Sequence, residues 1–171
     1  FDVSADLLEL SRTRVAVVAA GAKAVLDLPK TLEALETLGV PVLGFGTSEF
    51  PAFWIRSSGL PLEVRCEDAP EVARAVLGHW AWPSSGGVLV ANPVPEESAL
   101  PRDEMEAFIE RSLAAARAAG VAGKEVTPFL LSRLAEETDG RSLVANRALV
   151  VSNASVAARI AVALAAGGRS G

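Results

Sequence analysis

Three short apolar runs constrain the fold of this chain more than anything else in it: Val15 to Ala20 (VAVVAA), Val40 to Phe45 (VPVLGF) and Gly87 to Ala91 (GVLVA). Runs of this length without polar alternation suit strands covered on both faces, as in a sheet packed between helices. The stretch between the first two reads as a helix. Thr31 to Leu38 puts Leu32, Leu35 and Leu38 on one face, Asp27 is a candidate N-cap, Pro29 suits the first turn and Gly39 is a C-terminal stop. Strand, helix and strand at this spacing make a βαβ unit.

The segment from Gly46 to Pro61 is rich in Gly, Ser and Pro and carries Phe50, Phe53 and Trp54, so it reads as an ordered loop with buried aromatics. Leu62 to Arg65 alternates like a short strand. Pro70 to Trp80 is helical, with Val72, Ala75, Val76 and His79 near one face. Further helices are expected over Arg102 to Ala119 and from Thr127 (cap) and Pro128 (first helical position) to about Thr138. Two more are expected over Ser142 to Ala148 and Ser155 to Ala166. The pattern predicts one α/β domain spanning 1–171. Its architecture is three-layer α/β/α, with a mixed, largely buried sheet and a mostly helical C-terminal part.

Composition removes several function classes. A net charge of −5 argues against a nucleic-acid-binding surface, which needs clustered Lys and Arg. One cysteine, Cys66, leaves no disulfide framework or thiolate zinc site, and one histidine, His79, leaves no His-rich metal cage. No stretch of about 18 uncharged apolar residues is present and no basic segment precedes an apolar one, so neither a membrane partner nor a secretory signal is expected, and a cytoplasmic location is. The chain opens Phe1-Asp2-Val3-Ser4, which reads like the interior of a longer molecule or one of two subunits.

Lys23 is the leading candidate for chemistry. It is one of three lysines against thirteen arginines and follows Gly21 and Ala22 just past the first strand. Open α/β sheets place ligands at the C-terminal ends of their strands. An amine in an apolar pocket is disfavoured as ammonium and becomes a nucleophile towards carbonyl carbon. The competing reading is a solvated lysine at a helix start. Asp2, Ser4 and Asp6 could hold a hard divalent cation, although on the residues alone a helix cap by Ser4 with Asp6 in the first turn is the commoner arrangement. Asn92 could line a site or sit in a proline-stiffened loop. Asn146 and Asn153 could bind a ligand or cap. Cys66, His79 and the tryptophans read as packing residues.

Several stretches are similar to one known family: FDVSADL at 1–7, VVAAGAK at 17–23, LETLGVP at 35–41, FPAF at 50–53, GGVLVANPVPE at 86–96 and GKEVTPFLL at 123–131, with Ser142, Leu143 and Asn146. In order and across nearly the whole chain, they resemble the C-terminal half of the pseudouridine-5'-phosphate glycosidase family, which includes the indigoidine synthase A-like proteins. The resemblance implies reversible cleavage of the C–C glycosidic bond of pseudouridine 5'-phosphate to uracil and ribose 5-phosphate. Lys23 falls on the family's Schiff-base lysine. Asp2 falls on the aspartate associated with a divalent metal, usually Mn²⁺. Ser4, Ala5 and Asp6 fall on the substrate-binding Ser-Ala-Asp stretch, and Asn146 on an asparagine lining the site. A homotrimer is implied as well. The family's acid glutamate and a second substrate lysine belong to its N-terminal half and have no counterpart here, so the resemblance implies a need for that half, as a segment or a separate chain. Two other readings remain: a family member acting on a different C-nucleoside phosphate, and a non-catalytic sugar-phosphate-binding or regulatory subunit.

Overall fold

The computed structural model describes residues 5–22, 27–121 and 125–168. Its elements run α1 (Ala5–Arg12), β1 (Ala16–Ala19), α2 (Leu28–Thr37), β2 (Val42–Phe45), β3 (Val64–Cys66), α3 (Ala69–Trp80) and β4 (Val88–Ala91). A 3₁₀ turn at Glu96–Ser98 follows, then α4 (Arg102–Ala118), α5 (Val126–Glu137) and α6 (Arg141–Gly167). The four strands form one sheet in the order β1-β4-β2-β3. Every pairing is parallel, with Val17 opposite Leu89, Leu43 opposite Val90 and Gly44 opposite Arg65. The sheet among the described residues is therefore parallel rather than mixed. Each of the three connections between successive strands returns the chain to the same end of the sheet, which is what parallel strands require.

The apolar runs are covered on both faces, as their lack of alternation implied. Val88 and Val90 point to one side with Ala16, Val18, Leu43 and Phe45, where Val72 and Val76 of α3 and Val156 and Ile160 of α6 cover them. Leu89 and Ala91 point to the other side with Val17, Ala19 and Val42, under Leu10 of α1, Leu35 of α2 and Phe50. These are the three layers. Beyond the sheet, α4, α5 and the start of α6 close a second cluster. Met105, Phe108, Leu134 and Ala145 pack there against Ala52, Trp54 and Ile55 of the aromatic loop.

Local signals explain the ends of several helices. The Asp27 side chain accepts from the Lys30 N–H at 3.1 Å and caps α2, which stops before Gly39 at φ 67°. The Asp68 side chain caps α3 by accepting from the Glu71 N–H at 2.8 Å. α5 starts at Val126, so Thr127 lies inside the helix rather than capping it.

The two expected C-terminal helices are one 27-residue helix, α6. No Gly or Pro stands between Ala148 and Ser155, and Ser152 and Asn153, in the gap between the two expected helices, carry their polar groups to Asn92 from within the helix. By length and composition alone, α6 could cross a membrane, but one of its faces forms core with α3 and the sheet. Its outer face keeps Leu143, Val144, Val150, Val151 and Val162 exposed.

Candidate active site

Of the residues singled out by sequence, Asp2, Ser4 and Lys23 lie outside the described residues. The last turn of α1 reaches the start of β4, where the Leu10 carbonyl accepts from the Gly87 N–H at 2.6 Å. Ala5 and Asp6, in the first turn of α1, are exposed. At the C-terminal end of the sheet, β1 leads through Ala20 to Gly21 and Ala22.

The end of β1 is held on two sides. The Ala19 carbonyl accepts from the Asn92 N–H at 2.8 Å, and the Ala20 carbonyl accepts from the Phe53 N–H at 2.9 Å. Gly21 bridges to Ala52 and sits at φ 76°. A Cβ there would lie 1.8 Å from the Pro51 carbonyl oxygen, so the loop rests directly on the glycine. Phe53 itself is held at φ 64°, in the left-handed region that non-glycine residues seldom adopt. Its ring meets Trp54 edge to face, with centroids 4.8 Å apart.

Two asparagines complete the arrangement. Asn92, buried just past β4, donates from Nδ2 to Ser152 Oγ at 3.0 Å and to Asn153 Oδ1 at 2.9 Å, tying α6 to the strand end. Asn153 is thereby accounted for as a structural partner. Asn146, seven residues earlier on α6, accepts on Oδ1 from Trp54 Nε1 at 2.8 Å. The structure therefore brings together the end of β1, the Phe50–Ile55 loop, Asn92 and Asn146. A shallow groove of about 540 Å³ opens alongside, between Pro95 and Glu97 on one wall and Arg147, Val151, Ser152 and Ser155 on the other.

Sequence reasoning missed Trp54, taken as plain packing. It left Asn92 undecided, although its place directly after a buried strand was the available signal. Replacing Asn92 by alanine removes both side-chain bonds and strands their partners; we expect a loss of about 2 kcal/mol in urea unfolding with an unchanged m-value.

Of the remaining polar candidates, Cys66 closes the edge strand β3 at the same end of the sheet, two strands away from β4. Its thiol is pushed up from its ordinary value, first by burial and then by the nearby Glu71 carboxylate, so it is a poor nucleophile. His79 lines an apolar cleft of about 450 Å³ with Pro41, Val42 and Val64, at the N-terminal ends of β2 and β3. No group of three or more His, Cys, Asp or Glu side chains that could hold a metal occurs among the described residues.

The fold is similar to that of the prealnumycin C-glycosynthase AlnA, solved in complex with ribulose 5-phosphate. The TM-score is 0.92 at 38% identity, covering 98% of this chain and 55% of that one. An indigoidine synthase A-like protein from Thermotoga maritima matches with a TM-score of 0.83 at 44% identity, over 95% of this chain and 54% of that one. Among curated proteins, the pseudouridine-5'-phosphate glycosidase of Methylobacterium nodulans is 59% identical over 163 residues, 95% of this chain and 48% of the relative. The chain spans about half the length of the curated relatives it matches. The family model described as indigoidine synthase A like protein matches residues 1–163, and the chain belongs to that family.

Proposed function

We propose that this chain carries the covalent half-site of a pseudouridine-5'-phosphate glycosidase, with Lys23 as the nucleophile. The observation that carries the reading is the 59% identity, over 95% of this chain, to a relative bearing that name. The geometry supports it: the backbone leading to Lys23 is clamped at the ligand-binding end of a parallel sheet, beside Asn146.

In the cleavage direction, the neutral amine bonds to C1′ of the sugar as the C1′–O4′ bond opens, and the proton the nitrogen sheds passes to O4′. The nitrogen lone pair then expels uracil C5, which takes a proton from a general acid, and an iminium remains at C1′. Water hydrolyses that iminium to ribose 5-phosphate and the free amine. A C–C bond offers no heteroatom leaving group, so the paired carboxylates of ordinary glycosidases would not suffice. Ser4, Ala5, Asp6 and Asn146 are proposed to bind the substrate. Asp2 is proposed to hold a divalent cation, Mn²⁺ by resemblance, with water completing its oxygen shell.

The general acid is proposed to come from the part of the family domain outside the matched half, in a cytoplasmic homotrimer. The exposed apolar face of α6 supports an assembly larger than this unit. The test is to treat the assembled protein with ribose 5-phosphate and borohydride, then map peptides by mass spectrometry. A reduced sugar adduct on Lys23 is expected; an adduct on Lys30 or Lys124 instead, or none, overturns the assignment.

A further inference from the structure

Trp54 lies where three parts of the candidate site meet. Its loop is bonded to the end of β1 through Phe53 and Ala20 and rests on Gly21 through Pro51. Its own side chain, 2% exposed, reaches α6 and donates from Nε1 to Asn146 Oδ1 at 2.8 Å. One short loop therefore joins the backbone that leads to Lys23 with the amide of Asn146, although 92 residues separate Trp54 from Asn146 in the chain.

The chemistry of that contact is directional. An indole N–H can only donate, whereas a carboxamide has an accepting oxygen at one end and a donating nitrogen at the other. Facing Trp54, Asn146 must turn its oxygen inwards; the flipped amide would set N–H against N–H inside a buried cluster and leave both donors unpaired. Asn146 Nδ2 makes no hydrogen bond among the described residues. We propose that Trp54 is a positioning residue that fixes the amide of Asn146, so that the site is offered a donor, and never an acceptor, at that point. The inference rests on the proposed function. The group recognised there is an acceptor oxygen of the substrate, on either its sugar phosphate or its pyrimidine.

The role predicts a pattern that a purely structural tryptophan would not produce. In the assembled enzyme, Trp54→Phe keeps most of the ring and removes the donor. Without it, the amide samples both orientations and binding weakens. We expect KM for pseudouridine 5'-phosphate to rise about 10-fold, the size of one hydrogen bond of about 1.4 kcal/mol, with kcat changed by less than about threefold. Asn146→Ala removes the presented donor outright. The double variant should be no worse than Asn146→Ala alone, because both substitutions remove the same interaction. In the synthetic direction, a KM rise confined to ribose 5-phosphate assigns the oxygen to the sugar phosphate, and one confined to uracil assigns it to the base.

Losses that multiply in the double variant overturn the positioning role. So does a Trp54→Phe enzyme with unchanged KM, or one whose only change is a lower melting temperature. An unsubstituted assembly with neither turnover nor a lysine adduct instead overturns the proposed function, and this role with it. The two failures are distinguished by the unsubstituted protein.

Discussion

Lys23→Ala in an assembly containing the whole family domain is expected to lower kcat for pseudouridine 5'-phosphate cleavage by about 10⁴-fold or more. That is the scale on which a covalent nucleophile and its partners fail when the nucleophile is removed. The loss should be this large because the amine has two functions that no neighbour can assume. It forms the bond to C1′, and its lone pair then drives the departure of a carbon leaving group. Lys23→Arg separates this from electrostatics: a guanidinium keeps the charge but forms no imine under these conditions. Both variants should be inactive and should lose the borohydride-trapped adduct while melting as the parent does. Lys30→Ala is the control. Lys30 sits at the start of α2, paired with Asp27 at 2.6 Å and exposed, and its removal should leave turnover unchanged. An active Lys23→Arg variant would reduce Lys23 to a binding charge and end the covalent mechanism.

The sequence spoke most clearly where one element decides its own fate. VAVVAA and GVLVA could be read as doubly covered strands because their burial depends on having no polar residue to expose, and both faces are covered by helices. Asp27 and Gly39 set the ends of α2 through contacts within a few residues. Strand direction and order were not legible. β4 enters between β1 and β2, and nothing local to any strand states which neighbour it takes or with what polarity. α6 was misread for a related reason. Ser152 and Asn153 fall in the gap between the two expected helices, and only Asn92, 60 residues away from Ser152 in sequence, supplies the partner that lets them lie inside a helix. In the site, Gly21 was legible as the end of the first strand run, because a strand followed by a glycine turn is a local pattern. Trp54 was not, because its significance lies in which atom it meets on α6.

Gly21→Ala is expected to be the most damaging single-methyl change in the described part of the molecule, and Gly39→Ala shows why. Both glycines have positive φ, 76° and 67°. The left-handed conformation alone costs a residue with a Cβ about 1–2 kcal/mol. At Gly39 nothing lies within 4 Å of the added methyl, so that cost is the whole effect, and urea unfolding should show a loss of about 1 kcal/mol. At Gly21 the methyl would sit 1.8 Å from the Pro51 oxygen and 2.8 Å from the Pro51 carbonyl carbon. These are backbone atoms of a loop tied to Ala20 by the Phe53 N–H and to α6 by Trp54, so no flexible side chain can swing aside. The chain must lift the loop from β1 or unfold around it. We expect a loss of about 4 kcal/mol or more, in the range that marks a steric clash rather than a propensity effect. Enough folded Gly21→Ala protein for assay should show reduced borohydride trapping at Lys23, because the backbone two residues before it has moved. Equal losses for the two variants would mean that the loop does not rest on Gly21, and the bracket linking the β1 end to Asn146 would fall with it.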